Sequence, residues 1–117
     1  MKLRYTPEAI ADLQEVKQYI KDTLRNSKAA DRIAKIILDG CAQLKMFPQS
    51  GASIKALTGQ ETDLRMLVCE NYIALYRIDT DVISVARIIS AKQDYMRVLF
   101  REDAVVQMRS DQRKNQH

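Results

Sequence analysis

The chain has 117 residues, of which 46% are hydrophobic and 29% are charged, the proportions of one compact globular domain. No apolar run approaches the roughly 18 residues of a membrane helix, and two cysteines with one terminal histidine exclude zinc ribbons, disulfide scaffolds and a Ser-His-Asp triad. The net charge of +4 favours acidic partners, although no segment is a polybasic arm. We therefore expect a cytoplasmic protein without a membrane span, a cofactor or a metal site.

The first part of the chain predicts a strand followed by two helices. Residues 2–6 alternate in polarity and lead into Thr6-Pro7-Glu8, a sequence typical of a helix start. Apolar residues then recur every three or four positions to about Arg25, as they do in an amphipathic helix. Ser27 is expected to cap a second helix, which Pro48 ends. Two adjacent helices of this length form a hairpin.

A loop and a three-stranded meander are predicted next. Residues 49–60 have no clear period and contain several Gly, Ser and Thr, which indicates a surface loop. Three segments dense in Leu, Val, Ile and Tyr follow, separated by turn signals: 63–70, 72–79 and 82–90. Because one apolar face of such a sheet needs cover, we expect the helical hairpin to pack on it and the other face to stay open.

The predicted fold is α+β, with an N-terminal strand and a helical hairpin on a small antiparallel sheet, in the order β-α-α-β-β-β-α. Helical spacing from Lys92 onward predicts the last helix. Residues 1–100 are expected to form the domain, and residues 101–117 a helical extension with a frayed end. Cys41 and Cys69 fall on predicted apolar positions, so we expect both to be buried rather than to form a redox pair.

Three arginines in the middle of the predicted strands are candidates for a binding surface. Arg65, Arg77 and Arg87 each have apolar neighbours, and alternate residues of a strand project to the same side of a sheet. Either they form one basic patch, or each reaches solvent past its neighbours. For Arg77 the two interpretations are equally good, because Asp79 on the same strand could be its ion-pair partner.

A second candidate cluster follows the last strand, in residues 90–97. Lys92 and Arg97 are suited to phosphate, Tyr95 can stack on a base or transfer a proton, and Asp94 can cap a helix. In the alternative interpretation Asp94 is only a cap, Tyr95 packs at the edge of the core and both cations are solvated.

Together these segments resemble the RelE/ParE toxins of bacterial type II toxin-antitoxin systems. The resemblance covers about residues 1–100 and rests on six segments: 5–9, 47–51, 64–68, 71–78, 82–89 and 92–95. It implies an antitoxin that binds and neutralises the chain, with operator DNA contacted only through that antitoxin. Two mechanisms share the fold: ParE-like members inhibit DNA gyrase, whereas RelE-like members enter the ribosome and cleave messenger RNA.

The resemblance also assigns roles to particular residues. Arg65 falls on the frequent strand arginine and Lys92 on the basic position after the last strand, while Ser90 stands where many members carry histidine. Without that histidine an obvious proton-transfer group is missing, and Lys92 and Tyr95 are the catalytic candidates of a RelE-like enzyme. We therefore rank gyrase inhibition first, RNA cleavage second and a stand-alone nucleic-acid-binding module third. The expected target-binding residues are surface cations that contribute little to stability: Arg65, Arg77, Arg87, Lys92 and Arg97.

Overall fold

The computed structural model describes residues 1–92, which form a helical hairpin packed on a five-stranded sheet. The elements are β1 (Lys2–Tyr5), α1 (Pro7–Leu24), α2 (Ser27–Gln43), β2 (Ala52–Ser53), α3 (Ile54–Thr58), β3 (Arg65–Cys69), β4 (Tyr72–Asp79) and β5 (Val82–Ser90). The α+β fold with an N-terminal strand, a helical hairpin and a meander is thereby confirmed. The predicted last helix and the extension 101–117 lie outside the described residues, as do Tyr95 and Arg97.

Side chains at the helix ends explain where the hairpin begins and turns. The Thr6 hydroxyl accepts a hydrogen bond from a first-turn N–H of α1 at 3.1 Å, which is the predicted cap. Arg25 ends α1 in the left-handed conformation, with φ of 49°. Asn26 caps α2, because its side-chain oxygen accepts the Ala29 N–H at 3.0 Å. The prediction that Ser27 caps this helix was wrong, since Ser27 is already its first residue.

The sheet has the strand order β1-β5-β4-β3-β2 and is mixed. The three strands of the meander are antiparallel as predicted, but β1 runs parallel to β5. The helical hairpin and the strands β2 to β4 separate these two strands in sequence, and such a long connection permits parallel pairing. The predicted loop 49–60 contains β2 and α3, two elements too short to give a sequence period.

Apolar residues are buried on both faces of the sheet. The face under the helical hairpin holds the larger cluster, which includes Ile37, Tyr76 and Val85. The second cluster is built around α3 and the segment after it, and consists of Ile54, Leu64, Ile73, Leu75, Ala86 and Ile89. The prediction that the second face stays open was therefore wrong for these residues, which are all buried.

Cys41 and Cys69 are buried in the larger cluster, as predicted. Burial raises the pKa of the Cys41 thiol to about 12, and it raises the pKa of Cys69 as well. Within residues 1–92, no helix is both long enough and apolar enough to span a bilayer.

Candidate functional site

A groove of about 620 Å³ lies between the helical hairpin and the ends of β4 and β5. Its size is that of a site for a small ligand or a few partner side chains. Its walls come from one side of α1, the first turns of α2, the turn between β3 and β4, and the end of β5. Because these segments are far apart in sequence, only the packed fold creates the groove.

The floor and one rim of the groove are apolar and aromatic. Val16, Ile20 and Ile33 line it from the two helices at helical spacing. Tyr19 lies at the rim and is 64% exposed, so most of its side chain is open to a partner. Desolvation, with a smaller contribution from Tyr19, raises the pKa of Tyr72, so this phenol stays protonated near neutral pH. The groove therefore offers an apolar, aromatic surface to a partner.

Asp12 joins α1 to β5 at one wall of the groove. Its two carboxylate oxygens accept hydrogen bonds from Arg87 Nε at 2.7 Å and Arg87 Nη2 at 3.1 Å. The pairing of β1 with β5 stops at Val85, and beyond it Asp12 accepts the Ile88 N–H at 3.0 Å. The Arg87 and Asp12 side chains are only 24% and 12% exposed. Arg87 is thus held by an acidic partner, whereas the sequence predicted a surface cation.

Lys92 lies at the same groove but is exposed. Its backbone N–H bonds the Ser90 hydroxyl at 3.2 Å, and its ammonium makes no ion pair with any residue of the described chain. Arg32 of α2 and Glu70 of the β3–β4 turn form an ion pair of 3.3 Å, in which both side chains are about half exposed. A pair of that kind contributes little to stability, so its groups remain available to a partner.

The other two strand arginines lie away from the groove. Arg65 stands opposite Tyr76 in the β3–β4 register, so Arg77 projects from the other face of the sheet. The Nη2 group of Arg65 donates to the Gly51 carbonyl at 2.6 Å, and Arg77 Nε donates to Asp63 at 2.8 Å. The three arginines therefore do not form one patch, and only Arg87 lies beside Lys92.

Sequence reasoning missed Asp12, Tyr19 and Arg32 as groove residues. Each falls where an amphipathic helix carries exposed side chains, and the partners of Asp12 and Arg32 are Arg87 and Glu70, far along the chain. The exposed tyrosine between apolar positions of α1 was the only available signal.

Comparison with known proteins assigns the family. Residues 3–95 match the family model described as the ParE toxin of the type II toxin-antitoxin system parDE. The chain belongs to the ParE toxin family. It is therefore the toxin of a type II module, its partner is a cognate antitoxin, and ParE toxins are gyrase inhibitors. The predicted RelE/ParE relationship is confirmed, and within it the family is ParE.

The fold agrees with that family. A chain of the chromosomal ParDE toxin-antitoxin system from P. aeruginosa is similar, with a TM-score of 0.64 and 24% sequence identity. The similarity covers 77% of this chain and 95% of that chain. Among curated proteins, none matches the sequence significantly.

Proposed function

We propose that this ParE toxin arrests bacterial growth in the cytoplasm by binding DNA gyrase, without being an enzyme, until an antitoxin neutralises it. The observation that carries this proposal is the ParE family match over residues 3–95, because the family's toxins are gyrase inhibitors. Operator DNA is contacted only through the antitoxin in this proposal. Residues 1–100 are the toxin domain, and residues 101–117 extend it.

The chemistry of the groove favours binding over RNA cleavage. Cleavage by 2'-hydroxyl attack needs a group that accepts a proton near neutral pH and cations placed around a phosphate. The raised pKa of Tyr72 makes its phenol a poor base, and the Arg87 guanidinium is already bound to Asp12. Among the described groove residues, Lys92 and Arg32, which is in an exposed ion pair with Glu70, are the cations that remain available to a target.

The same groove is suited to the antitoxin. An amphipathic segment can place apolar side chains against Tyr19 and Ile33 and a carboxylate on Lys92. Because Lys92 is also the target-binding candidate, an antitoxin in this groove would compete with the target. Neutralisation then needs no rearrangement of the toxin.

Inducible expression tests the proposal in cells. The chain is expressed alone and together with the small reading frame adjacent to its gene. We expect growth arrest in the first case and normal growth in the second. Normal growth with a folded, abundant toxin and no antitoxin would remove the basis of the proposal. Arrest that the adjacent frame does not relieve would contradict the assignment of the antitoxin.

A further inference from the structure

The loop of residues 47–51, after α2, is fixed by a buried tyrosine. Tyr76 donates a hydrogen bond from its hydroxyl to the Pro48 carbonyl at 2.7 Å and accepts the Gly51 N–H at 3.0 Å. Gly51 leaves no room for a side chain, since a Cβ there would lie 2.6 Å from the Tyr76 hydroxyl and 2.8 Å from the Met66 carbonyl. The loop is therefore packed directly on the sheet.

Arg65 fixes the same loop and retains unused hydrogen-bonding capacity. Its Nη2 group donates to the carbonyls of Gln49 and Gly51, at 3.1 and 2.6 Å. Its Nε is buried without a hydrogen-bond partner, and the guanidinium makes no ion pair with the described residues. A partly buried cation normally has an acidic partner. Here backbone carbonyls are the hydrogen-bond acceptors of the guanidinium, and no acidic side chain of the described residues neutralises its charge.

The first residue of the fixed loop and the residue before it form an apolar ridge that is open to solvent. Met46 is 78% exposed and Phe47 is 61% exposed. Residues 40–60 contain no Asp or Glu, and Lys45 lies exposed next to the ridge with the N-terminal ammonium bonded to its carbonyl at 3.2 Å. Single exposed apolar residues are common, but an adjacent pair at a packed loop, beside the cations Lys45 and Arg65, has the properties of a binding anchor.

The ridge and the groove lie at opposite ends of α2. The helix lines the groove through Arg32 and Ile33, and the ridge follows its last residue, Gln43. From Ile33 to Gln43 a helix rises about 15 Å, at roughly 1.5 Å per residue. A segment bound in the groove therefore leaves Phe47 uncovered unless it continues along the whole helix.

We propose that the ridge, formed by Met46 and Phe47 on the loop that Arg65 holds, is a second contact surface for DNA gyrase. Phe47 enters an apolar pocket of the target beside acidic side chains, which the charge of Arg65 and Lys45 attracts. This inference rests on the proposed gyrase target. It adds that the target footprint extends from Lys92 to the ridge, whereas the antitoxin occupies the groove.

Two assays on the full-length toxin test the ridge: inhibition of gyrase supercoiling, and affinity for the purified antitoxin. For Phe47→Ala we expect at least a tenfold rise in the toxin concentration needed for inhibition, the effect of losing a central anchor. Its antitoxin affinity should stay within about twofold of wild type, because the side chain lies outside the groove. Tyr19→Ala should weaken antitoxin binding, because the wild-type side chain is 64% exposed at the groove. Leu57→Ala is the control, since the wild-type side chain is 59% exposed outside the ridge and the groove, and it should change neither gyrase inhibition nor antitoxin affinity.

The outcomes separate this inference from the proposed function. A wild-type toxin that does not inhibit gyrase overturns both. If wild type inhibits and Phe47→Ala inhibits equally well, or if Phe47→Ala weakens antitoxin binding instead, the ridge is not a gyrase contact. If the circular dichroism of Phe47→Ala shows that this variant does not fold, Met46→Ala replaces it in both assays with the same expected results, because the Met46 side chain is more exposed.

Discussion

Replacing Asp12 by Asn should destabilise the protein far more than its helical position indicates. The wild-type carboxylate accepts two hydrogen bonds from Arg87 and one from the Ile88 N–H, all between 2.7 and 3.1 Å. Asn keeps one acceptor but loses the negative charge, so the guanidinium loses the carboxylate that Asp12 supplies. Removing one partner of a buried pair costs about 3–5 kcal/mol. Because Arg87 is 24% exposed, water recovers part of that, and we expect a loss of about 2–3 kcal/mol.

Urea unfolding, followed by circular dichroism, measures this loss, and a domain of this size should melt about 10 °C lower. Asp39→Asn is the matched control, since Asp39 lies on α2 in an exposed ion pair with Lys35. It should leave the midpoint unchanged. The double variant with Arg87→Met should lose less than the sum of the two single variants, because the two side chains contact each other directly. Equal midpoints for Asp12→Asn and Asp39→Asn would show that the Asp12–Arg87 contact does not stabilise the domain.

Three further tests concern the loop, the core and the cations. Gly51→Ala places a methyl group 2.6 Å from the Tyr76 hydroxyl and should cost about 2 kcal/mol in urea unfolding; a stability equal to wild type would mean that the loop is not packed as described. Burial raises the pKa of the Cys41 thiol from 9.0 to about 12, so this thiol should resist Ellman's reagent at pH 8 in the native state and react in urea. Because the unfolded chain loses this proton at lower pH, the free energy of unfolding should fall as the pH rises from about 9 towards 12. Rapid labelling of the native thiol would contradict its burial. Lys92→Glu should weaken growth arrest and leave the unfolding midpoint unchanged. Arg87→Glu places a second carboxylate beside Asp12 and should unfold the domain. Equal stability of those two variants would argue against the Asp12 contact.

Local signals in the sequence were sufficient for most of the fold. Thr6 and Pro7 mark the start of α1, and the spacing of apolar residues gives the two helices. Dense apolar runs between turn signals give the three strands of the meander. These signals depend on residues that are close in sequence, so they can be recognised without the tertiary structure. The choice of Ser27 over Asn26 as the second cap failed because both residue types serve as caps and the helix start differs by one position.

Features that depend on distant residues were not predictable in the same way. The parallel pairing of β1 with β5 leaves no trace in either strand, and the burial of Ile54 depends on its contact with strands of the second face. Arg87 looked like a surface cation because its partner, Asp12, lies on another element. Because Asp12 holds Arg87 and loop carbonyls accept hydrogen bonds from Arg65, we now expect charge reversal to leave stability unchanged at Lys92 but not at Arg65 or Arg87. The target-binding role of these residues remains a prediction.

The most direct test of the account compares two activities of the purified toxin. Gyrase supercoiling is measured against toxin concentration, with and without antitoxin, and messenger RNA is mapped by primer extension in a translating extract. We expect a concentration-dependent loss of supercoiling, which the antitoxin reverses, and no new cuts in the RNA. Codon-phased cuts with supercoiling untouched would contradict it, and they would make Lys92 and Tyr95 the first residues to replace in search of a catalytic site.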